Sequence, residues 1–210
     1  MRSILFLPLD KPERISKAIG SGADKVIFDL EDGLARDKKD IGRENFINFA
    51  NSNYDNQQEK FLLRINGLDT KEYHEDLKML KSISVLPFAI AIPKIESSDE
   101  CGQFLSDLGE SAKVLPQIET PKGIANIDSW DTEHIDLAGI GFGSADYTAM
   151  TGGDMDVASL SYSRGKIVNA ASLYNTIALD GVWLDFRDHD VLRRLPPPAN
   201  IQVVLLVVFL

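Results

Sequence analysis

The chain contains one cysteine, Cys101, in 210 residues. An intramolecular disulfide framework is therefore excluded, and the lone thiol fits a reducing compartment. With no histidine or cation beside it, Cys101 reads as a structural or surface thiol rather than a nucleophile. Histidine is nearly as scarce. His74, His134 and His189 lack metal-ligand spacing, and His74 sits in EYHEDLKML, which reads as a solvated helix. Positive charge is in deficit, with 22 Lys and Arg against 32 Asp and Glu, a net charge of -10 and an isoelectric point near 4.8. Such a balance repels phosphates and excludes nucleic acid and anionic membrane surfaces as partners. An anionic small substrate then requires a local arginine or a metal. Long apolar runs are missing as well. The opening MRSILFLPLD carries one positive charge and an apolar run too short for a signal peptide. The ten residues from Ile201 to Leu210 are too few to cross a bilayer as a helix. Together these absences predict a cytoplasmic protein.

At 44% hydrophobic, the chain has the make-up of one ordinary globular domain with a real core. Its apolar runs are short: Ile4 to Leu7, Val26 to Leu30, Phe61 to Ile65, Phe88 to Ile92, Val114 to Ile118, Ile135 to Ile140 and Val182 to Phe186. Between them lie segments suited to helices, Lys11 to Gly20, Arg36 to Ala50, Lys71 to Ser82, Asp99 to Leu108 and Ser161 to Ile177. This is the alternation of a parallel α/β sheet. No G-x-G-x-x-G follows the first run, as a dinucleotide-binding sheet would require. Instead nearly every run ends on polar or charged groups: Asp10, Asp29, Glu31 and Asp32, Arg64 and Asn66, Lys94 and Glu96, Glu119, Asp146, then Asp185, Arg187 and Asp188. Function at the C-terminal ends of many strands is the habit of a (β/α)8 TIM-type barrel, which is the predicted fold.

Such a barrel needs eight strands and roughly 200 to 250 residues, whereas the runs above supply fewer. The end, VLRRLPPPANIQVVLLVVFL, breaks at Pro196, Pro197 and Pro198 and then turns almost uniformly apolar. The expected organisation is a barrel over 1–190, truncated or altered at the eighth strand, followed by an atypical apolar tail over 191–210. A makeshift eighth strand, a segment docked on a neighbour and an aggregation-prone tail all remain open. A frameshifted or artificially shortened end would account for its composition.

Two acids dominate the chemistry. Glu119 closes the run in KVLPQIETPKG, and Asp146 follows another in GIGFGSADYTAMTGG. On strands of one barrel, both carboxylates would face one pocket and suit a hard cation such as Mg2+, which is usually held by one or two carboxylates plus substrate oxygens. Glu119 alone reads equally as an acid capping the next helix, with Thr120 and Pro121 marking its start. Arg64 suits a substrate carboxylate or carbonyl oxygen, or an ion pair with Glu31 or Asp32. Lys94 either brings positive charge into the mouth or pairs with Glu96. Gly141 and Gly143 permit close backbone approach or simply make a turn. Ser144 lacks a nucleophile elbow, which argues against serine hydrolysis. Asp185, Asp188 and Asp190 either rim the site or solvate a loop.

The blocks RSILFLPLDKPERISKAIGSGADKVIFDLEDGLARDKKDIGR, LLRINGLDT, IPKIES, QIETPKGIAN, FGSADYTAMTG and SRGKIVNAASLYNTIALDGVWLDFRD run in order from residue 2 to about 188. In this they resemble the citrate lyase beta-subunit family of the HpcH/HpaI aldolase superfamily. The resemblance implies an Mg2+-dependent lyase that cleaves or forms a 3-hydroxyacyl thioester, citryl- or malyl-type, with a 2-oxo acid such as oxaloacetate or glyoxylate. It further implies Glu119 and Asp146 as metal ligands, with Arg64, Glu31 and Asp32 in the catalytic group. Arg64, Glu119, Gly143 and Ser144 contact substrate on the same grounds. Implied partners are the oxo acid, an acyl thioester of coenzyme A or acyl carrier protein, and further copies of the chain in a trimer or hexamer. Two departures stand out. Leu9 replaces a common Gly in the first strand-end loop, a change expected to crowd or reshape one wall of the mouth, and nothing after Asp190 matches the family's last strand or its lid, which supplies a catalytic Asp. A barrel that binds metal and 2-oxo acid without turnover is the competing expectation.

Overall fold

The computed structural model describes residues 3–53, 58–183 and 204–208. Asp185, Arg187, Asp188, His189, Asp190 and the proline break lie outside them. The first five apolar runs become strands β1 (Ser3–Pro8), β2 (Lys25–Asp29), β3 (Phe61–Arg64), β4 (Ala89–Ile92) and β5 (Val114–Ile118). β6 (Ile140–Phe142) and β7 (Ala178–Trp183) are displaced from the runs that predicted them. In the first case Ile135 and Leu137 pack on the core from outside the strand, and Leu137 makes only an isolated bridge to Val114. β8 (Val204–Val208) comes from the apolar tail.

All pairings are parallel and follow chain order, and β8 bonds to both β7 and β1, so the strands close into a barrel. The makeshift eighth strand is thus the alternative the tail adopts, with an irregularity in its pairing between Leu179 and Val182. Helices α1 (Ile15–Ile19), α2 (Lys39–Asn53), α3 (Lys71–Ser82), α4 (Ser98–Leu108), α5 (Pro121–Asn126), α6 (Ser144–Thr151) and α7 (Val157–Leu173) fill the connections. Four of the starts carry side-chain caps: Thr70 accepts from Tyr73 N, Thr120 from Gly123 N, Asp156 from Ala158 N and Ser159 N, and Ser97 forms a capping box with Glu100.

Side chains alternate across each strand. One set, Ile4, Phe6, Ile27, Leu62, Ala89, Ala91, Leu115 and Leu179, fills the barrel. The other, including Leu5, Leu7, Val26, Phe28, Phe61 and Leu63, packs with the helices. There Phe28 stacks on Phe61 at 5.3 Å and meets Phe46 and Phe49 edge-on. Leu9 belongs to this outer layer and is fully buried. It packs towards Gly42 of α2 and therefore does not crowd the mouth, contrary to the expectation. Along the inner face the apolar plug gives way, at the C-terminal strand ends, to Asp29, Glu31, Arg64, Gln117 and Glu119.

Candidate functional site at the barrel mouth

Strand register assembles the site. Asp29 lies opposite Arg64, which lies opposite Ala91. Asp29 and Glu31, two residues apart, continue the inward side of β2, while Asp32 is exposed in the following turn. Arg64 accordingly meets Asp29 and Glu31 rather than Asp32. Its Nε donates to Asp29 Oδ1 at 2.8 Å and its Nη2 to Asp29 Oδ2 at 2.7 Å. Nη1 lies 2.8 Å from Glu31 Oε2, an ion pair too oblique to count as a hydrogen bond. Of the five N–H donors of a guanidinium, two are spent on Asp29 and one faces Glu31, so two remain for a ligand.

Asp29 is saturated, because its oxygens also accept from Glu31 N and Gly33 N, each at 2.9 Å. Even the glycine matters here, since a Cβ on residue 33 would sit 2.3 Å from Asp29 Oδ2. Asp29 thus acts as the clamp on Arg64, a role that sequence reading left unassigned although the period-two spacing with Glu31 signals it. Burial works against the Arg64 charge, but Asp29 first and then Glu31 outweigh it and hold the guanidinium above its ordinary pKa.

Lys94 resolves the other open pairing. Its Nζ donates to Glu31 Oε1 at 3.0 Å, while Glu96 is taken by Lys122 and Thr120. Lys94 also has φ 56°, in the left-handed region. For a non-glycine residue this conformation costs of order 1–3 kcal/mol, and an exposed ion pair returns about 0.2–1 kcal/mol.

Across the mouth, Glu119 follows β5 with 2% exposure. The capping duty that could have explained it is performed by Thr120, whose Oγ1 accepts from Gly123 N at 3.0 Å. No hydrogen bond reaches the Glu119 carboxylate from the described residues. Burial first, then the charges of Glu31 and Asp146, push its pKa up to about 8, while Arg64 and Lys94 pull the other way. Gly143 makes room for it: a Cβ there would lie 2.1 Å from Glu119 Cγ and 2.5 Å from Oε1. Asp146 is not on a strand as expected but in the first turn of α6, half-buried, because β6 ends at Phe142. Ser144 opens the same helix, and its buried Oγ has no hydrogen-bond partner among the described residues; Gln117 Oε1, on β5, is likewise unpartnered among them. His74 and His134 are exposed, and Cys101 is buried with its thiol pushed up to about 12 by burial, so none is a ligand or nucleophile.

The residues fit a hard divalent cation. The donors are oxygens only, and a buried carboxylate destabilised by like charges gains most from a cation. Among the described residues no group of three or more His, Cys, Asp or Glu is placed to hold a metal ion.

Residues 2–195 match the HpcH/HpaI aldolase/citrate lyase family. The chain belongs to that family. Among its relatives is the mitochondrial citramalyl-CoA lyase of Rattus norvegicus, 28% identical over 215 residues that cover 92% of this chain and 62% of the relative. The family member described here thus spans less than two thirds of that enzyme's length. Two Mycobacterium tuberculosis structures superpose closely. One is CitE in complex with magnesium, acetoacetate and coenzyme A, at 28% identity, TM-score 0.83, covering 99% of this chain and 76% of that one. The other is citrate lyase beta subunit with oxaloacetate and magnesium, at 27% identity, TM-score 0.83, covering 99% and 91%. No helix among the described residues is long and apolar enough to cross a membrane.

Proposed function

We propose that this protein is a Mg2+-dependent carbon–carbon lyase, acting on a 3-hydroxyacyl thioester of the citryl or malyl type and exchanging a 2-oxo acid with an acyl thioester. The supporting architecture is a (β/α)8 TIM-type barrel whose eighth strand is drawn from an atypical tail. The observation that carries the reading is Glu119: a buried carboxylate with no hydrogen-bond partner among the described residues, made room for by Gly143 and pressed by the charge of Asp146. Glu119 and Asp146 would hold Mg2+, and the ion, when bound, supplies Lewis acidity at the substrate's oxo or hydroxyl oxygen.

The chain's own groups do the rest. Arg64, held rigid by Asp29 and Glu31, offers its two remaining N–H groups to the oxo acid's carboxylate. Gly143 keeps the Glu119 carboxylate in place, and the Ser144 hydroxyl offers a hydrogen bond. Asp32 acts only at longer range, through its charge on Lys39 and Lys94. In cleavage the substrate hydroxyl loses its proton, the bond from the carbinol carbon to the thioester α-carbon breaks, and its electron pair leaves with the thioester as an enolate that is then protonated. Binding of magnesium, oxo acids and coenzyme A by the M. tuberculosis proteins, and the name of the rat enzyme, support the same chemistry. Exposed Met150, Met155, Val157, Tyr162 and Leu173 support a homo-oligomer. The buried free thiol supports a cytoplasmic location.

Incubation with citryl-, malyl- and citramalyl-CoA plus Mg2+ is expected to release the corresponding 2-oxo acid. Glu119→Gln and Asp146→Asn should each lower turnover by about 100-fold or more, with folding retained. Oxo-acid binding without release of product from any of the thioesters would instead establish a non-catalytic binding barrel.

A further inference from the structure

Two lysines lie close to the acids of the mouth, and they are used differently. Lys39 of α2 donates to Leu30 O and Glu31 O at 2.6 Å each and to Asn66 Oδ1 at 2.9 Å. An ammonium has three donors, so Lys39 has none to offer a ligand. Lys94 makes one described hydrogen bond, to Glu31 Oε1, and its side chain is 41% exposed at the rim. Two donors remain.

The backbone of Lys94 reinforces the contrast. The chain turns at Pro93 and Lys94 and returns to the sheet through Ile95 N, which donates to Gln117 O at 3.1 Å. Glycine would take the left-handed conformation in that turn without penalty. A half-exposed ion pair returns less than the conformation costs, so stability does not account for a lysine here. What the turn achieves is to carry an ammonium from the end of β4 across β3 to Glu31.

We propose that Lys94 is a substrate-binding residue whose ammonium takes the second carboxylate of a dicarboxylate 2-oxo acid, beside the end gripped by Arg64. This rests on the lyase reading above and adds to it a determinant of substrate class. The two spare N–H groups of Arg64 serve one carboxylate. A second carboxylate, in a mouth that already holds Asp29, Glu31, Glu119 and Asp146, needs another cation with free donors. Lys94 meets that need, and Arg64 keeps Glu31 compensated when the ammonium turns towards substrate.

Calorimetric titration in the presence of Mg2+, with oxaloacetate and with pyruvate, which lacks the second carboxylate, tests the assignment. Lys94→Gly should bind oxaloacetate about 10-fold or more weakly, the loss of a charge-assisted contact, and pyruvate almost unchanged. Its melting temperature should equal or exceed that of the wild type, since glycine relieves the turn. Lys94→Arg should restore most of the affinity, and Lys122→Ala, removing a surface lysine paired with Glu96, should change neither titration. Unchanged oxaloacetate affinity in Lys94→Gly, or equal losses for both acids, overturns the proposal while leaving the lyase reading intact. A wild type that binds neither acid overturns both.

Discussion

Two clusters of buried charge sit a few residues apart and are built on opposite plans. Between α2 and α3, Asp76 is 0% exposed and accepts from Asn66 N, Asn66 Nδ2 and Arg43 Nε at 2.7–2.8 Å. Arg43 also reaches Asp40 and Glu72, and Lys39 ends on Asn66 with its donors spent. Donors and acceptors close on one another. At the mouth, Arg64 and Lys94 keep spare donors, and Glu119 has no hydrogen bond from the described residues. A closed cluster is an internal brace, because a ligand would have to break it. An open one is a binding surface prepared in advance, whose unmet groups are tolerated because something else satisfies them.

Cutting each cluster should break the comparison if it is wrong. Asp76→Ala leaves Arg43 its pairs with Asp40 and Glu72 but strips the acceptor from Arg43 Nε, Asn66 N and Asn66 Nδ2, and should cost about 3 kcal/mol or more in urea unfolding. A change near zero would mean the brace is not structural.

The pH response should separate the clusters further. In the metal-free protein the Glu119 pKa stands at about 8 against an ordinary 4.5. The folded value is the higher, so this group's contribution to stability is full below 4.5 and lost as pH rises through about 8. With chelator present, the melting temperature of the wild type should fall more steeply across that window than that of Glu119→Gln. Parallel slopes would remove Glu119 as the strained member of the mouth.

The smallest effect concerns the neighbouring position. Thr120→Ala removes a helix cap and should cost about 1 kcal/mol while Mg2+ affinity, read by calorimetry, stays at the wild-type value. Glu119→Gln should lose Mg2+ affinity without that stability loss. A reversal of the two would return Glu119 to the capping role.

Much of this was legible in the residue order. Strands β1 to β5 fall on apolar runs, and α3 spans the predicted Lys71–Ser82. The pairing of Arg64 with an acid from the end of β2 was visible as a choice between Glu31 and Asp32. Alternation favours Glu31 and adds Asp29, yet only the register of β2 against β3 brings Asp29 opposite Arg64. The location of Asp146 was harder to read. β6 is only three residues long, and the helix that follows begins at Ser144, so the acid reaches the mouth from a first helical turn. Lys94 could not be assigned from spacing, since Glu96 is nearer in sequence and Glu31 is nearer in space only because β4 and β2 flank β3.

The order of residues alone determined the alternating α/β plan, the apolar plug with acids at strand ends, and the family, because hydrophobic periodicity and motif order are local properties of a chain. Tertiary structure alone decided which acid meets which cation, that Leu9 packs outward, and that a strand from the tail closes the barrel. Those outcomes depend on register and closure, which arise only when distant segments are brought side by side.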